Sequence, residues 1–182
     1  MNRKFDIIMP TVCQPSMTAA INSVIAQTHK RWELWVISNG VHYNSQRAEL
    51  PFDERIHYLY LPEWMDDNFA TAKNIAVEFG KARYIAYLSS DHTWATNHLS
   101  SISKLLADNS VVANSARRVR RNGELAEKSS EIMLSGLSHT REIFQLTNGW
   151  KDCENSEKIL WEDMVKIAQR GLYSTQSTVR YT

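Results

Sequence analysis

The sequence predicts an α/β fold, one domain with a mixed, mostly parallel sheet flanked by helices. Three observations carry this. Short apolar runs alternate with stretches of helical period through the first two thirds of the chain, the rhythm of βαβ units. Three of those runs stop abruptly in polar or turn-forming residues, at Pro10-Thr11, Ser38-Asn39-Gly40 and Ser89-Ser90-Asp91. From Val111 the rhythm changes to a strand pair around Asn122-Gly123, a strong hairpin signal.

Each element has its own warrant. Phe5 to Met9 is a short apolar strand closed by Pro10 and Thr11. Ser16 suits the N-cap of a helix running to Ala26, with Ile21, Val24 and Ile25 on its buried stripe. Trp32 to Ile37 and Ile56 to Leu61 are the next two strands. Asn68 caps a helix from Ala70 to Gly80, whose glycine is a stop signal. Tyr84 to Leu88 is a buried strand that ends in Ser89, Ser90, Asp91 and His92, and a helix from Thr96 to Ala107 follows. After the hairpin, Thr140 to Leu146 reads as a short helix and Ser156 to Arg170 as a longer one stopped by Gly171. Tyr173 to Val179 returns as a final strand. No repeat, low-complexity tract or linker divides residues 1–182, so they read as a single domain.

Composition narrows the function classes. The 21 Lys and Arg against 20 Asp and Glu leave a formal charge of +1, which argues against a dedicated nucleic-acid binder. No apolar run approaches the roughly 18 residues of a membrane helix, so no transmembrane segment is expected. The basic N-terminus lacks the apolar core of a secretory signal. Cys13 and Cys153 are too few for a disulfide framework and read as free thiols in a reducing, cytoplasmic setting. Arg117, Arg118, Arg120 and Arg121 fall on the first arm of the hairpin, where alternate side chains point to opposite faces. They read as a charged sheet edge rather than a recognition patch.

In a parallel sheet the three polar strand ends open on one edge, where ligands of open α/β sheets lie. A carboxylate and an imidazole there, Asp91 and His92, suit a metal or a phosphate. The bland alternative for Asp91 is a turn cap. Glu162 and Asp163 are, on their own, two acids of the kind that favour a helix N-terminal turn. Adjacent helical side chains point about 100° apart, so one of the pair faces any cleft. Lys73 belongs either to a solvated helix face or to a ligand, and His139 either to an ordinary loop or to an acceptor site.

Taken in order, four segments resemble the inverting family-2 glycosyltransferases of the GT-A fold. FDIIMPTVCQP is similar to the family's opening strand with its Pro-Thr pair, and SVIAQTHKRWELWVISNG to its next helix and second strand. MDDNFATAKNIAVEFGKARYIAYLSSDHTW resembles the Ala-Arg-Asn helix and the strand ending in a D-x-D metal motif. NGWKDCENSEKILWEDMVKIAQRGLY resembles the Gly-Gly-Phe/Trp segment and the late Glu-Asp helix. The resemblance covers essentially the whole chain and implies a Rossmann-like GT-A domain. It would transfer a sugar, with inversion, from a nucleoside diphosphate, UDP first, to a hydroxyl acceptor.

On this resemblance Pro10, Thr11, Val12 and Asn39 hold base and ribose. Lys73 replaces the family arginine, keeping charge without the planar fork. Ser89, Ser90 and Asp91 meet the diphosphate. Asp91 stands at the second acid of the metal motif, with Ser89 at the first and His92 beside it, so a weakly bound Mn²⁺ or Mg²⁺ is expected. Asp163 is the expected base, with Glu162 in reserve. Asn39 stands where the family has an aspartate. These departures keep open an alternative, a nucleotide-sugar-binding domain with little or no transferase activity. The resemblance also implies acceptor elements beyond the last strand, which makes a homo-oligomer that completes the site a further expectation.

Overall fold

Alternation sets the faces of the first strand. In β1 (Phe5–Thr11) Phe5, Ile7 and Met9 join one hydrophobic cluster and Ile8 a second, all fully buried. A strand buried on both faces needs helices on both sides. Helices α1 (Met17–Ile25) and α3 (His98–Leu105) pack into the first cluster. Helices α2 (Ala70–Phe79), α4 (Arg141–Gln145) and α5 (Ser156–Ala168) pack into the second. The computed structural model describes residues 3–41, 50–107, 109, 111–119, 125–128 and 132–181.

The remaining strands are β2 (Trp32–Asn39), β3 (Ile56–Leu61), β4 (Tyr84–Tyr87), β5 (His92–Trp94), β6 (Val111–Val119), β7 (Leu125–Lys128), β8 (Leu137–Thr140) and β9 (Leu172–Tyr181). Their order is β3-β2-β1-β4-β8-β6-β9-β5, with β7 paired to β6. The β3-β2-β1-β4 half is parallel throughout. From β1 the chain builds outward to β2 and β3, then crosses to β4 on the other side of β1. That reversal leaves a crevice at the carboxyl ends of β1 and β4. The fold class expected from sequence, a mixed α/β sheet flanked by helices, is the one observed.

Several local expectations are corrected. Leu137–Thr140 is strand β8, antiparallel to both β4 and β6, and only Arg141–Gln145 is helical. All four β8 residues are buried, so LSHT carries no alternation to betray it. His139 is therefore a core residue and not a loop residue. Its Nδ1 donates to the Thr140 carbonyl (3.0 Å) and its Nε2 accepts from the Tyr87 hydroxyl (2.9 Å). Strand β6 is no edge: β8 pairs with its first residues, Val111 to Ala113, and its outer part pairs with β7 at Arg117 and with β9 at Arg117 and Arg118. Arg120, Arg121 and the Asn122-Gly123 turn lie outside the described residues. Helix α2 is capped by Asp67, whose carboxylate accepts from the Thr71 amide at 2.7 Å, and not by Asn68.

A buried ion pair ties the sheet together at the end away from the crevice. Asp6 on β1 is buried and accepts from Arg141 Nη2 (2.7 Å), the Ala82 amide (2.7 Å) and Trp35 Nε1 (3.3 Å). Arg141 also donates to the carbonyls of Ala82 (2.8 Å) and Val77 (2.7 Å). Gly80 stops α2 for a steric reason, since a Cβ there would lie 2.3 Å from an Asp6 carboxylate oxygen. Arg141→Met leaves that carboxylate buried without its cation and should cost about 3–5 kcal/mol of stability in urea unfolding. The double replacement Asp6→Leu with Arg141→Met should cost clearly less than the sum of the single changes.

Candidate active site

The crevice predicted by topology is a cleft of about 600 Å³. Its floor comes from the ends of the two central strands: Pro10, Val12 and Gln14 after β1, and Ser89, Ser90, Asp91 and His92 after β4. One wall is the start of α2, with Asn68, Phe69 and Lys73. Opposite elements contribute Ile132, Met133 and Leu134, and the N-terminus of α5 brings Cys153, Glu154, Asn155, Ser156 and Glu157. Seven of the sequence-predicted positions thus meet in one place: Pro10, Val12, Lys73, Ser89, Ser90, Asp91 and His92.

Asp91 is held by its neighbours. Ser89 Oγ donates to Asp91 Oδ1 at 2.6 Å, so the serine at the motif's first position orients the carboxylate. His92 Nε2 lies 3.7 Å from the same oxygen. Behind them Ser135, fully buried, accepts from the Ser89 amide (2.8 Å) and bonds His92 Nδ1 (2.7 Å). Burial lowers the His92 pKa, offset in part by the Asp91 charge. Among the described residues no three His, Cys, Asp or Glu side chains converge in a metal-binding group.

Lys73 is the cation of the cleft. It is 2% exposed, and its ammonium sits 3.9 Å above the Trp150 ring. Among the described residues it makes no side-chain hydrogen bond or ion pair. Desolvation lowers its pKa to about 8, against the pull of Glu157, Asp67 and Cys153. Asn74 fixes the platform beneath it. Its amide accepts from the Trp150 N–H (2.9 Å) and donates to the Trp150 carbonyl (3.1 Å).

Four expected site residues fall elsewhere. Thr11 is buried and braces the turn after β1, accepting from the Cys13 amide at 2.8 Å. Asn39 is also buried, and its amide is spent on the backbone: Nδ2 donates to the Met65 carbonyl (2.8 Å) and Oδ1 accepts from the Met65 N–H (3.0 Å). Asn39 thus braces the segment at Met65 and is not among the residues that line the cleft. Glu162 and Asp163 do not open a helix. The helix begins at Ser156, which places them in its interior, paired with Lys158 (3.8 Å) and Lys151 (3.1 Å) and off the cleft wall. Glu157 occupies the first turn instead. The signal for it was the Asn155-Ser156 helix start, with an acid directly behind.

Residues 6–167 match the model of Glycosyl transferase family 2. The chain belongs to that family. It is 34% identical over 105 residues to the Escherichia coli UDP-Glc:alpha-D-GlcNAc-diphosphoundecaprenol beta-1,3-glucosyltransferase WfgD, an alignment spanning 57% of this chain and 41% of that one. A putative teichuronic acid biosynthesis glycosyltransferase of Bacillus subtilis, TuaG, is 36% identical over 83 residues, or 43% and 32% of the two chains. The chain thus matches less than half the length of these relatives. Among solved structures, a Pyrobaculum calidifontis mannosyltransferase in complex with GDP-Man and Mn²⁺ superposes with a TM-score of 0.78 at 15% identity, covering 98% of this chain and 56% of that one. Staphylococcus aureus TarS residues 1–349 in complex with UDP-GlcNAc gives 0.75 at 14% identity, covering 98% and 58%. Both likenesses place the fold among GT-A enzymes.

The Asn39 pairing yields a direct test. Asn39→Asp replaces the donor to the Met65 carbonyl with a second acceptor in a buried place. Thermal or urea unfolding should register a loss of about 1–3 kcal/mol.

Proposed function

We propose that this domain transfers a sugar from a nucleoside diphosphate, UDP first, to a hydroxyl acceptor with inversion at the anomeric carbon. The observation that carries the reading is Lys73, a buried ammonium facing the cleft with no acceptor of its own among the described residues. A desolvated cation in that state favours an anion brought by a ligand, and a diphosphate supplies one. The N-terminus of α5 opens on the same cleft and adds backbone donors and a positive dipole end.

The chemistry follows as a single displacement. The acceptor oxygen attacks the anomeric carbon while the bond to the diphosphate breaks and its electron pair leaves with the phosphate oxygen. The acceptor proton passes to a carboxylate on the far side of the sugar. We assign Glu157 to that role: it is half-buried in the cleft wall, and Ser156 Oγ reaches its Oε2 at 3.4 Å. Asp163 is the competing assignment and rests on the family pattern alone. Asp91 fits a hard divalent cation, Mn²⁺ or Mg²⁺, as an oxygen ligand on the cleft floor, with His92 as the adjacent nitrogen. The donor's phosphates would complete the ligand set. When bound, such a cation neutralises the departing diphosphate.

The alternative is nucleotide-sugar binding without transfer, favoured by the sparse acid set around Asp91. Calorimetry with UDP, with and without Mn²⁺, followed by UDP-sugar turnover on hydroxyl acceptors, separates the two. Tight binding with no turnover on any acceptor supports the alternative. For the transferase, Glu157→Gln should lower kcat by about a hundredfold or more with little change in UDP affinity. If Asp163→Asn does this and Glu157→Gln does not, the base assignment moves to Asp163.

Lys73 makes binding pH-dependent with a definite sign. UDP affinity should fall as pH rises through about 8, where the ammonium loses its proton. Stability moves the other way: between about 8 and the ordinary lysine value the unfolded chain binds more protons, so this group's contribution rises with pH. Lys73→Met should abolish the pH dependence of UDP binding and weaken it roughly tenfold to a hundredfold at neutral pH. An unchanged titration profile in that variant rejects the role of Lys73.

A further inference from the structure

Among the described residues, five non-glycine residues have positive φ: Cys13, Asn68, Phe69, Asn155 and Gln169. Asn68, Phe69 and Asn155 line the cleft, and Cys13 lies between the lining residues Val12 and Gln14. Strain is therefore concentrated at the site. Asparagine tolerates the left-handed region, but Phe69, at φ 60° and ψ 19°, does not adopt it cheaply. Glycine would do so without penalty.

The helix start does not require an aromatic there. Asp67 caps α2 through its carboxylate to the Thr71 amide (2.7 Å) and its carbonyl to the Ala70 amide (2.8 Å). Phe69 lines the cleft together with Lys73, and it also packs against the second hydrophobic cluster. Trp64 meets that ring edge-on at 6.3 Å between centroids. Trp64 is itself seated against Gly40 at the end of β2, where an added Cβ would fall 2.7 Å from the Trp64 Cα. Next to it, Met65 is held by the Asn39 amide, which donates to its carbonyl and accepts from its N–H.

We propose that Phe69 is held in its strained conformation to present a stacking face for the nucleobase of the donor. The inference rests on the donor reading above, in which Lys73 takes the diphosphate. Asn39, paired with Met65, does not line the cleft, whereas Phe69 does, and a π-face accepts any base. Recognition of the base by stacking implies weak discrimination among bases.

Titrations of the whole chain with UDP, GDP and inorganic pyrophosphate test this. Phe69→Gly relieves the left-handed strain and gives up part of a side-chain contact. UDP affinity should fall about tenfold to a hundredfold, the worth of one base–aromatic stack. Pyrophosphate, which has no base, should bind Phe69→Gly as it binds wild type and should lose affinity in Lys73→Met. Phe69→Tyr should restore UDP binding, and Phe69→Asn, which tolerates the same backbone, serves should the glycine variant fail to fold. Wild-type Kd values for UDP and GDP should agree within about tenfold. Wild-type UDP affinity in Phe69→Gly or Phe69→Asn overturns the assignment, as does a preference of more than a hundredfold for one base. Equal losses for UDP and pyrophosphate show a structural role for Phe69 and overturn it too. A wild-type chain that binds neither ligand rejects the donor reading, and this inference with it.

Discussion

The fold depends on satisfying one buried charge. Asp6 sits inside β1 and is sealed from water by three donors from β2, the segment before β4, and α4. An unpaired carboxylate in that place would cost several kcal/mol, so the end of α2, the start of β4 and the start of α4 are all fixed by one requirement. Gly80 exists because the chain must pass so close to that carboxylate. With its C-terminal end anchored there, α2 extends toward the carboxyl edge of the sheet, where its first turns form the wall of the cleft.

At the cleft itself the same physics recurs with neutral groups. Two asparagines, Asn39 and Asn74, each donate to and accept from the backbone of a distant residue, Met65 and Trp150. Two-point pairing by a planar amide fixes both position and orientation, as an added strand would, without needing a strand. One clamp steadies the segment bearing Trp64, and the other the ring under Lys73. Neither asparagine lines the cleft, yet both determine which side chains do.

Much of this was legible in the sequence. The parallel half was, because strands buried on both faces appear as apolar runs and their polar ends fall on one edge. The cleft position of Ser89, Ser90, Asp91 and His92 was legible for the same reason, and that of Lys73 through the family resemblance. Strand β8 was hidden, because a four-residue buried strand has neither period nor turn signals, and only pairing with β4 and β6 defines it. Asn39 is read as a ligand contact from its strand end and the family pattern, while its partner Met65, 26 residues away, is invisible to local pattern. Of the acids of α5, Glu157 lines the cleft and Glu162 and Asp163 are not among its lining residues. The Glu-Asp pair drew attention by its family likeness, whereas helix phase and starting point decide which acid faces the cleft.

Two buried histidines, His139 and His98, hold together the elements around β8 and β9. His139 lies on β8, where the parallel half meets the mixed one, and its two ring nitrogens are filled by one donor and one acceptor. His98 links α3 to β9 through Thr178 at 2.6 Å. Burial lowers their pKa values to about 4 and about 3, well below the ordinary histidine value. Below pH 6.5 the unfolded chain therefore takes up protons that the native state refuses, and stability drains away until the native values are reached. Acid thus strains the molecule along a particular line, where β8 and β9 attach, and leaves the parallel β3-β2-β1 strands without a comparable burden from these two groups.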